Sequence, residues 1–171
     1  MSADPNKTPQ SETLPEGTRI GVVVSQYHFD ITGSMVESAR DEFHRAGVAA
    51  SDLFVVNAPG AFELPYLSQE FARRNDIDAV IAFGLVLKGE TDHDRYISQA
   101  TANGLMQLSL EYAKPVLFGV LTCSTLDQAI ARSKPATAGG ELDKGREVAR
   151  AAIQALLAAD EIQSTDPSQQ S

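Results

Sequence analysis

The chain has 171 residues, 43% hydrophobic and 22% charged, with a formal net charge of -9 and a single cysteine. That length and balance fit one globular core rather than two domains or a disordered polymer. The acidic excess argues against a nucleic-acid partner, which would demand a basic face, and a lone Cys123 leaves no intramolecular disulfide or cysteine-rich zinc site, so the cytoplasm is the expected compartment.

Residues 1–17 are polar and carry Pro5, Pro9 and Pro15. They lack the apolar stretch of a secretory signal and are expected to form a loose arm. No run approaches the roughly 20 apolar residues that span a bilayer, so no membrane partner is expected. The first predicted strand is Ile20–Val24, followed by a helical face of Met35, Val36, Ala39, Phe43 and Ala46 that ends at Gly47, a natural C-terminal cap. A second strand, Leu53–Val56, leads to helix formers from Phe62 to Phe71 and on toward Asn75. The third, Ala79–Leu87, precedes Ile97, Ala100, Thr101, Gly104, Leu105, Leu108 and Tyr112, spaced by three and four and ending before Pro115. The fourth, Val116–Leu121, precedes a short helix capped by Thr125 and running through Arg132. Val148, Ala151, Ala152, Ala155 and Leu156 then mark a last amphipathic helix. Residues 160–171, rich in Ser, Gln and Asp, are expected to fray, which leaves one domain over 18–159.

The apolar runs lack polar alternation, as strands covered on both faces should. Strict alternation with helices means βαβ units and right-handed crossovers. The predicted fold class is α/β, a three-layer sandwich with a four-stranded parallel sheet flanked by helices on both faces, in flavodoxin-like topology.

In open parallel sheets ligands bind beyond the carboxyl ends of the strands. The unusual residues lie in just those loops: Gln26-Tyr27-His28-Phe29, Asn57 to Glu63, and Lys88-Gly89-Glu90-Thr91-Asp92-His93. His93 sits where a helix begins, beside Gly89 and Thr91, so backbone donors and an imidazole share one small volume suited to anion binding and proton transfer. Tyr27 and Phe62 offer aromatic faces at the same edge. Arg132 and Lys144 follow the fourth strand and can hold a phosphate by charge-assisted bonds. Taken singly, each has a plain structural reading: a solvated histidine, core aromatics, first-turn carboxylates at Glu63 and Glu90, helix-end cations. Cys123 reads as a small buried thiol, since it lacks an identified base. No second histidine stands near His93 in sequence, so no metal is expected. A phosphorylation receiver would need acidic residues at the first strand end, where Ser25-Gln26-Tyr27 stands.

Five ordered blocks carry a family resemblance: Pro59-Gly60-Ala61-Phe62-Glu63-Leu64-Pro65, Gly89-Glu90-Thr91-Asp92-His93, Phe118-Gly119-Val120-Leu121-Thr122, Gln128-Ala129-Ile130-Ala131-Arg132 and Lys144-Gly145. In this order and spacing, from about Ile20 to Ala159, the sequence resembles the lumazine synthases. The resemblance implies a cofactor-free enzyme of riboflavin biosynthesis that condenses a ribitylamino-uracil with a four-carbon sugar phosphate. It implies His93 as the acid–base residue, Tyr27 as the aromatic under the uracil ring, and backbone groups of Val86 and Leu87 at its polar edge. Ala61, Phe62 and Glu63 would meet the ribityl chain, and Gly89, Glu90 and Thr91 would border the substrates. Arg132 would hold the phosphate, with Phe118 and Lys144 beside it. Tyr27 stands where the family more often has phenylalanine or tryptophan, and His28 where asparagine is usual. The resemblance further implies a homopentamer in which Phe118, Arg132 and Lys144 come from a neighbouring subunit, and it allows riboflavin synthase as a partner. The link from Ser133 to Asp143 is longer than the compact link of shell-forming relatives, so no sixty-subunit shell is expected. The alternative is a non-catalytic lumazine- or flavin-binding protein on the same scaffold.

Overall fold

The computed structural model describes residues 12–140 and 142–165. Four strands, β1 (Ile20–Ser25), β2 (Leu53–Ala58), β3 (Ala79–Leu87) and β4 (Val116–Cys123), form one parallel sheet in the order β2-β1-β3-β4. Five helices connect and cover it: α1 (Phe29–Arg45), α2 (Leu64–Ala72), α3 (His93–Glu111), α4 (Leu126–Ser133) and α5 (Lys144–Ser164). Short 3-10 turns at 50–52, 61–63 and 136–138 punctuate the loops. This is the three-layer α/β arrangement expected from the alternation of apolar runs and helical faces.

Each face of the sheet has its own core. On one face Met35, Ala39 and Phe43 of α1 meet Ala149, Ala152 and Ile153 of α5 above Ile81 and Phe83. On the other, Leu64 and Phe71 of α2 and Leu105 and Leu108 of α3 pack on Val23, Val80 and Ala82. The α1–α5 approach is close enough to demand glycine at the start of α5. A Cβ at Gly145 would run into the Met35 backbone, which gives the Lys144-Gly145 pair a packing reason. Glu42 of α1 ties the same seam. Its buried carboxylate accepts from Arg45 Nη1 and Arg146 Nε at 2.9 Å each and from Arg150 Nε at 2.6 Å.

Three sequence expectations need correction or extension. Full cover on both faces holds for β1 and for nearly all of the other central strand, β3. The edge strands are only partly covered: Val55 and Val56 of β2 and Phe118 of β4 are exposed, because an edge strand of a single chain has no neighbour on its outer side. Helix α5 runs to Ser164, past the boundary read at residue 159, and the Ser164 and Thr165 hydroxyls bond the preceding turn at Glu161 and Ile162. Within the expected arm, Leu14 is buried and its N–H donates to the Ala46 carbonyl at 2.9 Å, while Glu12 accepts from Gln154 Nε2 at 3.0 Å. The rest of that arm, residues 1–11, and residues 166–171 of the expected tail lie outside the described residues.

Candidate active site

Four backbone-anchored hydrogen bonds bring the loops at the carboxyl ends of the strands into one rim. Gln26 N–H donates to the Ala58 carbonyl at 2.8 Å, joining the loops after β1 and β2. The buried Thr32 hydroxyl donates back to Ser25 O at 2.7 Å, locking α1 onto the end of β1. The buried Thr101 hydroxyl of α3 donates to Ala61 O at 3.1 Å, so the helix that begins at His93 also holds the second loop. Lys88 N–H donates to Cys123 O at 2.9 Å, fixing the third loop against β4.

The rim encloses a cleft of about 830 Å³, within the usual range for a small-molecule site. Tyr27, Ala61, Phe62, Glu63, Val86, Leu87, Gly89, Thr91 and His93 all line it. These are expected site residues drawn from three separate loops, the end of β3 and the start of α3. Tyr27 and Phe62 are 67% and 61% exposed, so two aromatic faces stand open in a cleft otherwise floored by the aliphatic end of β3. Gly60 leaves room for the Glu63 carboxylate: a Cβ there would lie 3.2 Å from its Oε2. His93 begins α3, whose N-cap residue Asp92 makes no side-chain cap bond, so the first-turn N–H groups are not served by that side chain.

The structure does not bring every expected residue into that cleft. Phe118, Arg132 and Lys144 line a separate groove of about 260 Å³ between β4, α4 and α5, sharing no lining residue with the first. There Arg132 Nη1 donates to the Gln128 carbonyl at 3.1 Å, and Lys144 Nζ pairs with Glu147 at 2.6 Å. Glu90 is exposed in the turn before α3 and does not line either cavity. Cys123 is a buried free thiol, its pKa pushed up by burial and only partly offset by the Arg132 charge. That is the reverse of what an activated nucleophile needs. Among the described residues no group of three or more His, Cys, Asp or Glu could hold a metal, and no helix is long and apolar enough to cross a membrane.

Two further rings lie in the cleft: Tyr96, which was not singled out from sequence, and His28, noted there only as standing where asparagine is usual. Tyr96, 69% exposed, lies one helical turn after His93 and lines the same wall, a placement that the i, i+3 spacing could have signalled. His28 also lines the cleft, with its ring edge-on to Tyr27 at 4.6 Å between centroids and 74° between planes. It caps α1 in the left-handed conformation, φ 58 and ψ 48, a cost of order 1–3 kcal/mol for a non-glycine residue.

Residues 17–159 match the family described as 6,7-dimethyl-8-ribityllumazine synthase. The chain is similar to the protein of that name from Aquifex aeolicus, 43% identical over 145 residues that cover 85% of this chain and 92% of the relative. It is also similar to its namesake from Salinibacter ruber, 41% identical over 146 residues covering 85% and 90% of the two chains. A third, from Protochlamydia amoebophila, is 37% identical over 145 residues, covering 84% and 81%.

Proposed function

The chain belongs to the 6,7-dimethyl-8-ribityllumazine synthase family and is a transferase of riboflavin biosynthesis, and from that premise we propose how its residues carry the reaction. The substrates are 5-amino-6-(D-ribitylamino)uracil and 3,4-dihydroxy-2-butanone 4-phosphate; the product is 6,7-dimethyl-8-ribityllumazine, with phosphate and water released. The observation that carries this assignment of roles is the convergence of the exposed Tyr27 and Phe62 rings, the Glu63 carboxylate and His93 on one cleft.

The uracil ring rests on Tyr27, its polar edge reads backbone groups of Val86 and Leu87, and its ribityl hydroxyls meet Ala61, Phe62 and Glu63. The substrate amine adds to the ketone, water leaves to give an imine, phosphate is eliminated, and the second amine closes the ring with loss of another water. Each step moves a proton, and an imidazole at the position of His93 gives and takes them, worth typically about 10²–10⁴-fold. Holding two substrates in reacting geometry supplies much of the remainder. Gly89, Glu90 and Thr91 frame the turn at which the phosphate approaches the N-terminus of α3. No cofactor takes part in these steps.

The phosphate clamp comes from a neighbouring subunit, whose Phe118, Arg132 and Lys144 close over the cleft in a homopentamer. The separation of the two cavities within one chain and the exposed apolar side chains on both edge strands support this reading. We assign the reaction to the cytoplasm, in keeping with a single buried thiol, and riboflavin synthase is a partner to test by co-sedimentation. Mixing the purified protein with both substrates and following lumazine fluorescence tests the activity itself. Binding of the product without turnover would instead mark a non-catalytic binder on the same scaffold.

A further inference from the structure

We infer that His28 is a positioning residue that holds the Tyr27 ring as a fixed shelf for the substrate's heteroaromatic ring. The inference rests on the role proposed for Tyr27. A ring that is 67% exposed has little packing of its own to select one rotamer. Among the described residues the only ring-on-ring contact is the one between Tyr27 and His28, 4.6 Å between centroids at 74°, the edge-to-face geometry that aromatic pairs favour.

The backbone explains why that contact is stable. The His28 carbonyl accepts from Ile31 N–H at 2.9 Å and Thr32 N–H at 3.1 Å, while the Thr32 hydroxyl reaches back to Ser25 O at 2.7 Å. The first turn of α1 therefore clamps both ends of the 25–28 loop. His28 is held at φ 58 and ψ 48, a conformation in which His and Asn are enriched among non-glycine residues. Both rings line the cleft, so a ligand meets a shelf whose orientation is already set and need not order it on binding.

The test is a double-mutant cycle on the assembled full-length protein, titrated with 6,7-dimethyl-8-ribityllumazine and followed by fluorescence. His28→Asn keeps a residue that tolerates the left-handed backbone and removes the ring. It should weaken binding about 2- to 10-fold when Tyr27 is present and leave affinity unchanged in a Tyr27→Leu background. In steady state the loss should fall on KM for the uracil substrate rather than on kcat. His28→Gly, which relieves the backbone, should give the same coupling and guards against a folding artefact. Equal losses in both backgrounds, or no loss at all, would overturn the positioning role alone. If Tyr27→Leu itself binds like the wild type, the shelf assigned to Tyr27 falls and His28's role falls with it.

Discussion

Arg150 Nε donates to Glu42 Oε1 at 2.6 Å across the α1–α5 seam, on a carboxylate that Arg45 and Arg146 also hold. Burial pushes the Glu42 carboxyl up, but the hydrogen bonds and charges of these arginines outweigh it and hold the group below its ordinary value of 4.5. A carboxyl depressed in the folded state adds stability that is complete above its unfolded value and drains away as pH falls through its folded one. Glu42→Gln should cost about 2 kcal/mol at neutral pH. In urea melts, the gap to wild type should narrow on acidification below 4.5; a gap independent of pH would assign the loss to packing.

His93→Ala should lower kcat by about 10²–10⁴-fold while lumazine affinity stays within a few-fold of wild type, because Tyr27 and the floor of β3 remain. Stopped-flow turnover and a product titration on the same preparation separate the two quantities. Full turnover in the variant would remove His93 from the proton-transfer role.

Arg132→Lys keeps the charge and loses the planar fork. KM for the sugar phosphate should rise about tenfold, well beyond any change in KM for the uracil substrate. Equal rises would mean that Arg132 supports the whole site rather than the phosphate.

Much of the architecture was legible in the chain, for identifiable reasons. The strands β1 and β3 are unbroken aliphatic runs because helices bury both of their faces, and Gly47, at φ 92, stops α1 as its position suggested. Thr125 caps α4 by accepting from Gln128 N–H. Edge exposure at Val55 and Val56 was not legible, since a valine in a buried strand and one in a half-covered edge look alike in sequence. The separation of Arg132 from His93 was equally hidden: residues after successive strands share a sheet edge, but α4 lies on the opposite layer from α3. The resemblance, not the periodicity, implied the division of the site between chains that we propose.

The proposed division of the site between subunits predicts complementation. His93→Ala and Arg132→Ala subunits, each inactive alone, should on mixed reassembly recover about a quarter of wild-type activity, the fraction of interfaces joining two intact halves in a random closed ring. Sedimentation of the same sample should give about five chains per particle. Recovery of none, with assembly intact, would place both halves in one chain.

The link between α4 and α5 should keep assembly at that size. Among its described residues Gly140 N–H donates to Pro135 O at 3.0 Å and Ala136 N–H donates to the Asp143 carboxylate at 3.1 Å, so those residues hold a formed turn at the place where pentamers would have to meet. Light scattering that found about sixty chains per particle would overturn this steric reading.

The α1–α5 seam also sets the order in which the protein can be made. Glu42 waits 108 residues for Arg150, and Met35, Ala39 and Phe43 wait as long for Ala149, Ala152 and Ile153. At ribosomal speed that is roughly 5–20 s during which an apolar helix face emerges without its cover. The opposite layer closes sooner, because α2 and α3 follow one another directly around β3. Nascent chains therefore pass through a stage with one finished face and one sticky one, and a chain cut short before α5 stays there.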